Sequence, residues 1–128
     1  MTEALQGVKV LVVEDEYLVA TMMEDMLESA GCVVAGPIPR LAQALDAASS
    51  EACDVAVLDV NLAGERVYPV AEILAQRSVP FVFVTGYGSN TLPSEYAKRP
   101  RICKPFRITE LLAAISGVVK PRIVDSTL

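Results

Sequence analysis

Five short apolar runs, separated by stretches of helical periodicity, leave this chain few architectures. Residues 8–13 form a run broken only by Lys9, residues 32–35, 54–58 (after Asp54) and 79–84 form three more, and Ile102-Cys103 after Arg101 offer a shorter fifth strand. The longer runs are valine-rich, and a strand with no polar alternation is buried on both faces. Between the runs the pattern changes. In residues 16–30, Leu18, Met22 and Met26 recur every fourth position beside Glu24, Asp25 and Glu28, which predicts an amphipathic helix closed by Gly31. Residues 41–48 are rich in alanine and leucine and read as a second helix. Residues 65–76 are helical in part, with Pro69 near the start or at a kink. Thr109 is placed to cap a last helix whose apolar face is Leu112, Ile115 and Val119, flanked by Leu111 and Val118. Gly36-Pro37 is expected to stop the second strand. Strands alternating with amphipathic helices predict an α/β fold: a doubly wound five-stranded parallel sheet with right-handed connections.

The 128 residues suffice for one core. We expect a single domain over residues 1–120 and a short tail, 121–128, that frays. A net charge of −5 argues against a nucleic-acid binder and against adhesion to an anionic membrane. No apolar stretch approaches the ~20 residues that span a bilayer. No basic region precedes an apolar one at the start of the chain, so a cytoplasmic location is expected. Cys32, Cys53 and Cys103 are odd in number and far apart, which suits buried free thiols in a reducing compartment. The absence of histidine removes His-based metal sites and His-dependent triads.

The polar residues fall at telling places. The first run ends at Glu14-Asp15, the third at Asp59, the fourth at Thr85 and the last at Lys104. In an open parallel sheet these ends lie along one edge, where ligands bind. Three neighbouring carboxylates repel one another, and a divalent cation removes that conflict. Oxygen ligands without His or Cys favour a hard ion, Mg²⁺ in a cell. Such an ion neutralises an incoming phosphoryl group, and a carboxylate is a competent nucleophile towards it. Lys104 offers a point charge to a phosphate oxygen and Thr85 a hydroxyl. Each residue alone has a plainer role. Glu14-Asp15 suits a helix start, Asp59 a strand-to-helix turn, and Lys104-Pro105 a solvated turn. It is their joint arrival at one edge that points to chemistry.

With these residues in order, the chain resembles the response-regulator receiver family from Val8 to Val119. The matching pieces are Val10-Leu11-Val12-Val13-Glu14-Asp15-Glu16, Asp54-Val55-Ala56-Val57-Leu58-Asp59-Val60-Asn61-Leu62, Val84-Thr85-Gly86 and Lys104-Pro105-Phe106. The resemblance implies a flavodoxin-like sheet of order 2-1-3-4-5 and a role for each residue. Asp59 would be the phosphoacceptor. Asp15 would bind Mg²⁺ directly, Glu14 would hold a metal-bound water, and Asn61 would add its backbone carbonyl. Thr85 would move toward the phosphoryl group, Lys104 would pair with its oxygens, and the Lys104-Pro105 bond would be cis. The implied partners are a sensor histidine kinase and a downstream protein partner or phosphotransfer protein. Two departures stand out. Arg101 occupies the place where many receivers carry a switching aromatic, and as a charge on an edge strand it also discourages edge pairing. The stretch Pro80-Phe81-Val82-Phe83-Val84-Thr85-Gly86-Tyr87 is similar to a subgroup with a Phe-Ala-Thr-Gly-Tyr-like signature, in which the fourth helix is short or mobile. Residues 86–99 hold Gly88, Ser89, Asn90, Pro93 and Ser94, and only 94–99 suit a helix. We expect this segment to be the least ordered of the domain and to become ordered on phosphorylation.

Two other functions compete. A binding module that kept the fold but lost the switch would lack Asp59, Asp15 or Lys104, and all are present. An enzyme would be an aspartyl-phosphate phosphatase or a flavin carrier. The phosphatase usually has a second acid where Asn61 stands. The carrier would need a phosphate-cradling loop where Glu14-Asp15-Glu16 repel phosphate. The leading expectation is therefore a signalling receiver that assists its own phosphorylation and dephosphorylation, rather than an enzyme.

Overall fold

Strands and helices alternate in the computed structural model, which describes residues 5–86 and 92–119. The chain runs through β1 (Lys9–Val13), α1 (Tyr17–Ser29), β2 (Val33–Ile38), α2 (Leu41–Ser50) and β3 (Val55–Asp59). A small hairpin follows, β4 (Asn61–Leu62) and β5 (Glu65–Arg66), then α3 (Tyr68–Gln76), β6 (Phe81–Thr85), a 3₁₀ turn (Ser94–Tyr96), β7 (Arg101–Cys103) and α4 (Ile108–Val118). The main sheet is parallel throughout, in the order β2-β1-β3-β6-β7. Counting only its five strands, this is the expected order 2-1-3-4-5.

The apolar runs fill the middle of the sheet for the expected reason. Every residue of β3 and β6 is buried, and so is β1 beyond Lys9. Alternate side chains serve opposite layers. Leu11, Val13, Ala56, Leu58, Phe81 and Phe83 pack with Ala44, Ala48, Val70, Ala71 and Leu74 of α2 and α3. Val10, Val12, Val55, Val57, Val84 and Ile102 pack with Met23, Leu27, Leu111 and Ile115 of α1 and α4.

Several boundaries and faces differ from the sequence expectation. α1 buries Ala20, Met23 and Leu27, while Leu18 is 79% exposed and Met22 is also exposed. Leu18 and Leu27 are nine positions apart, about 180° around a helix of 3.6 residues per turn, so they lie on opposite faces. β2 does not stop at Gly36-Pro37 but continues to Ile38, with a register shift opposite Leu11 and Val13. It is an edge strand, where a proline without an N–H is tolerated. Gly36 has φ +100°, and a Cβ there would lie 2.7 Å from the Val12 carbonyl oxygen.

Residues 65–67 are not helical. Glu65-Arg66 pairs antiparallel with Asn61-Leu62 across a turn at Ala63-Gly64, both with positive φ. Pro69 lies in the first turn of α3, where its missing N–H costs nothing. α4 begins after Arg107, whose N–H donates to Glu110 Oε1 at 2.7 Å; Thr109 is inside the helix and is not its cap. Its fully buried residues are Leu111 and Ile115, with Leu112, Val118 and Val119 only partly buried. Between the fourth and fifth sheet strands, where only a short helix over 94–99 is expected, stands the 3₁₀ turn Ser94–Tyr96. That turn is held by rings: Tyr96 stacks on Tyr68 at 5.6 Å and meets Phe83 edge-on at 5.3 Å. Residues 87–91 of the segment expected to be poorly ordered, and the tail 121–128, lie outside the described residues. Cys32 is buried, Cys53 half-buried and Cys103 exposed, so burial holds for the first thiol and not for the last.

Candidate functional site

The three adjacent central strands deliver their last residues to one point. Asp59 ends β3, Glu14-Asp15 follow β1, and Thr85 ends β6 with Val84 as the register partner of Asp59. β7 pairs with β6, and the Lys104 N–H donates to the Thr85 carbonyl at 3.0 Å, bringing the lysine to the same edge. The Lys104-Pro105 bond is cis. Glu14, Asp59, Thr85 and Lys104 are the buried polar residues of the described chain. Burying four such groups is costly unless they satisfy one another.

Lys104 does most of that. Its Nζ lies 2.9 Å from Glu14 Oε2 and 3.3 Å from Asp59 Oδ2, and it also contacts Glu16 Oε1. Burial alone would lower the Lys104 pKa, but the carboxylates of Glu16, Glu14 and Asp59 outweigh it and hold the ammonium above its ordinary value. Asp59 is less well served. Burial, then repulsion and hydrogen bonding from Glu14, push its carboxyl up to about 8, against the opposing pull of Lys104. Asp59 Oδ1 accepts from the Asn61 N–H at 3.2 Å. Asp15 Oδ2 accepts from the Ala63 N–H at 3.0 Å, which ties the hairpin turn to the site. Asn61 itself is exposed and caps that turn, its Oδ1 accepting from the Gly64 N–H at 2.9 Å.

The residues fit a hard divalent cation. Glu14, Asp15 and Asp59 each bring one carboxylate oxygen within 4.8 Å of the others. The buried Oε1 of Glu14 has no hydrogen-bond partner. A buried carboxylate oxygen left without a donor, beside a carboxyl pushed toward protonation, marks a place where positive charge is missing. An all-oxygen set suits Mg²⁺. Asp15, Glu16, Asp59, Asn61, Gly86 and Lys104 line an open cavity of about 330 Å³ over this cluster.

The structure thus brings together Glu14, Asp15, Asp59 and Lys104, with Asn61 at the rim. Thr85 is at the edge too, but its hydroxyl donates to the Ile102 carbonyl at 3.4 Å rather than to Asp59. The sequence reading missed Glu16 as a Lys104 partner. It matched a motif but was given no role, and only the reach of a lysine 88 positions away reveals it.

An open parallel sheet that gathers three carboxylates and a lysine at the carboxyl ends of its strands is a domain equipped to hold a divalent cation beside an anionic ligand. The chain belongs to the response regulator receiver domain family, whose model matches residues 10–116. This family serves two-component signalling, in which a phosphoryl group is accepted from a kinase. The solution structure of SdrG from Sphingomonas melonis Fr1 is similar, with 40% identity, a TM-score of 0.80 and coverage of 88% of this chain and 96% of that one. So is the receiver domain of sensor histidine kinase PA1611 from Pseudomonas aeruginosa PAO1, with a magnesium ion in its active-site cleft. It shares 25% identity, with a TM-score of 0.73 and coverage of 88% and 97%. The transcriptional regulatory protein PdtaR of Mycobacterium tuberculosis is 26% identical over 115 residues, 87% of this chain and 56% of that protein. The chain therefore spans about half the length of that regulator. No described helix is long and apolar enough to cross a membrane.

Proposed function

We propose that Asp59 is the phosphoacceptor of a Mg²⁺-dependent receiver, phosphorylated by a sensor histidine kinase. One observation carries this reading. Asp59 is a carboxylate at a central strand end that touches Lys104 while sharing a metal-sized cluster with Glu14 and Asp15. In the reaction an Asp59 carboxylate oxygen attacks phosphorus, a P–O bond forms, and the P–N bond to the donor imidazole breaks. Asp15 and Asp59 would hold Mg²⁺ directly, Glu14 through a water, and Asn61 through its carbonyl. Bound there, Mg²⁺ would supply the charge that neutralises and aligns the phosphoryl group. The magnesium ion in the similar PA1611 receiver cleft supports that choice. Lys104 keeps its proton and steadies the phosphoryl oxygens. Thr85 exchanges its bond to Ile102 for one to the phosphoryl group.

The reading takes residues 1–120 as one receiver domain working in the cytoplasm, with no membrane or nucleic-acid contact of its own. It promotes its own phosphorylation and dephosphorylation and is otherwise no enzyme. Its output passes to a downstream protein partner or a phosphotransfer protein. Arg101 replaces the usual aromatic on the edge strand β7, and the 3₁₀ turn replaces a helix, so the response runs through a different set of groups. The Tyr68–Tyr96 stack supports that view, since it joins the turn to α3 beside Thr85. The test is incubation with acetyl phosphate, with and without Mg²⁺, followed by intact mass. A gain of one phosphoryl group that requires Mg²⁺ is expected. A folded, Mg²⁺-binding protein that never gains it would be a non-switching binding module instead.

A further inference from the structure

A second cavity of about 430 Å³ opens beside the carboxylate cluster and shares Asn61 and Gly86 with it. Thr85, Tyr68 and Arg66 also line it. Arg66 is the cation there. It is exposed, and among the described residues no carboxylate pairs with it. Its position is set by the hairpin. Arg66 is the cross-strand partner of Asn61, whose own N–H is on Asp59 Oδ1. The Val67 N–H to Val60 carbonyl bond, 3.0 Å, fixes that register one residue on. The hairpin therefore plants an unpaired guanidinium one cross-strand step from the backbone that holds the acceptor carboxylate.

The charge balance gives it a task. Lys104 is shared among Glu14, Glu16 and Asp59, so its ammonium is committed before any phosphoryl group arrives. Phosphorylation would replace the Asp59 charge by roughly two negative charges on three strong acceptor oxygens. A guanidinium matches that geometry by a two-pronged contact, which a lysine cannot give. On the reading that Asp59 is the acceptor, we propose that Arg66 is a second phosphoryl-binding cation. It swings from solvent across the Thr85 side of the site when Asp59 is modified. The hairpin is then a sensing element, drawn toward the acid edge through Arg66 and anchored there by the Asp15 contact to Ala63.

The test uses beryllium fluoride with Mg²⁺, a mimic that coordinates a carboxylate oxygen with the shape of a phosphoryl group. Wild type, Arg66→Ala and Arg66→Lys are titrated calorimetrically, and each is titrated with Mg²⁺ alone. We expect Arg66→Ala to bind the mimic about tenfold more weakly with unchanged Mg²⁺ affinity and unchanged melting temperature, and Arg66→Lys to recover part of the loss. Equal affinity of wild type and Arg66→Ala for the mimic would overturn the proposal and leave Asp59 as acceptor untouched. An equal loss of Mg²⁺ affinity would also overturn it, by making Arg66 a structural support of the metal site. No binding of the mimic by wild type would remove the Asp59 reading itself, and Arg66 with it.

Discussion

Replacing Asp59 by asparagine should make the metal-free protein more stable, and the effect should depend on pH. The side chain keeps its shape and its acceptor for the Asn61 N–H, but loses a charge the fold holds poorly. Burial and Glu14 raise the Asp59 carboxyl from 3.8 to about 8. Taken whole, such a rise corresponds to a ceiling of ~6 kcal/mol at 1.36 kcal/mol per unit. Lys104 remains beside the group and the edge is open to water, so relaxation leaves roughly a third of that, ~2 kcal/mol. The sign follows from proton counting. Between about pH 4 and pH 8 the folded state holds a proton on Asp59 that the unfolded chain has lost, so wild-type stability falls as pH rises through this window. Asp59→Asn removes that fall. Urea unfolding with chelator present, at intervals from pH 5 to 8.5, measures both curves. The variant should gain ~2 kcal/mol near pH 8, about 5–10 °C in melting temperature for a domain of this size, and little near pH 5. Saturating Mg²⁺ should raise wild type and not the variant. A variant no more stable than wild type at pH 8, or a flat wild-type curve, would refute the argument that Asp59 is held against its charge.

Further outcomes follow from other contacts. Lys104→Met should cost about 3–5 kcal/mol in metal-free denaturant unfolding near pH 8.5, where both Glu14 and an ionised Asp59 lose their buried counter-charge, and Mg²⁺ should restore part of it. Gly36→Ala should cost roughly 1–3 kcal/mol, since φ is +100° and the new Cβ would meet the Val12 carbonyl oxygen at 2.7 Å. Leu27→Ala should cost ~2–5 kcal/mol and Leu18→Ala less than ~0.5, a contrast that checks which face of α1 is buried.

Much of this molecule was legible because its site sits on its most legible elements. β1 beyond Lys9, β3 before Asp59 and β6 before Thr85 are continuous apolar runs, and such runs have one reading when helices separate them. The residues that break them, Glu14, Asp59 and Thr85, are therefore marked by contrast with their neighbours. Lys104 needed only the order of the runs. What escaped was set by tertiary contact or by too few residues to show a period. The β4-β5 hairpin has two residues per strand and no alternation to read. The buried stripe of α1 could not be separated from the series at Leu18, Met22 and Met26 by spacing, because only the sheet decides the rotation of the helix. β2 runs past Gly36-Pro37 because an edge strand tolerates what a central one would not. Glu16 had no partner in sight along the sequence, because Lys104 reaches it from 88 positions away.

The central claim is that Asp59, and not a neighbouring acid, receives the phosphoryl group. The most direct measurement is to load the protein from a phosphodonor with Mg²⁺, trap the acyl phosphate by borohydride reduction, and map the product by peptide mass spectrometry. Reduction confined to Asp59, absent when Mg²⁺ is chelated, is the predicted result. Reduction at Glu14, Asp15 or Glu16, or full loading of Asp59→Asn, would contradict it.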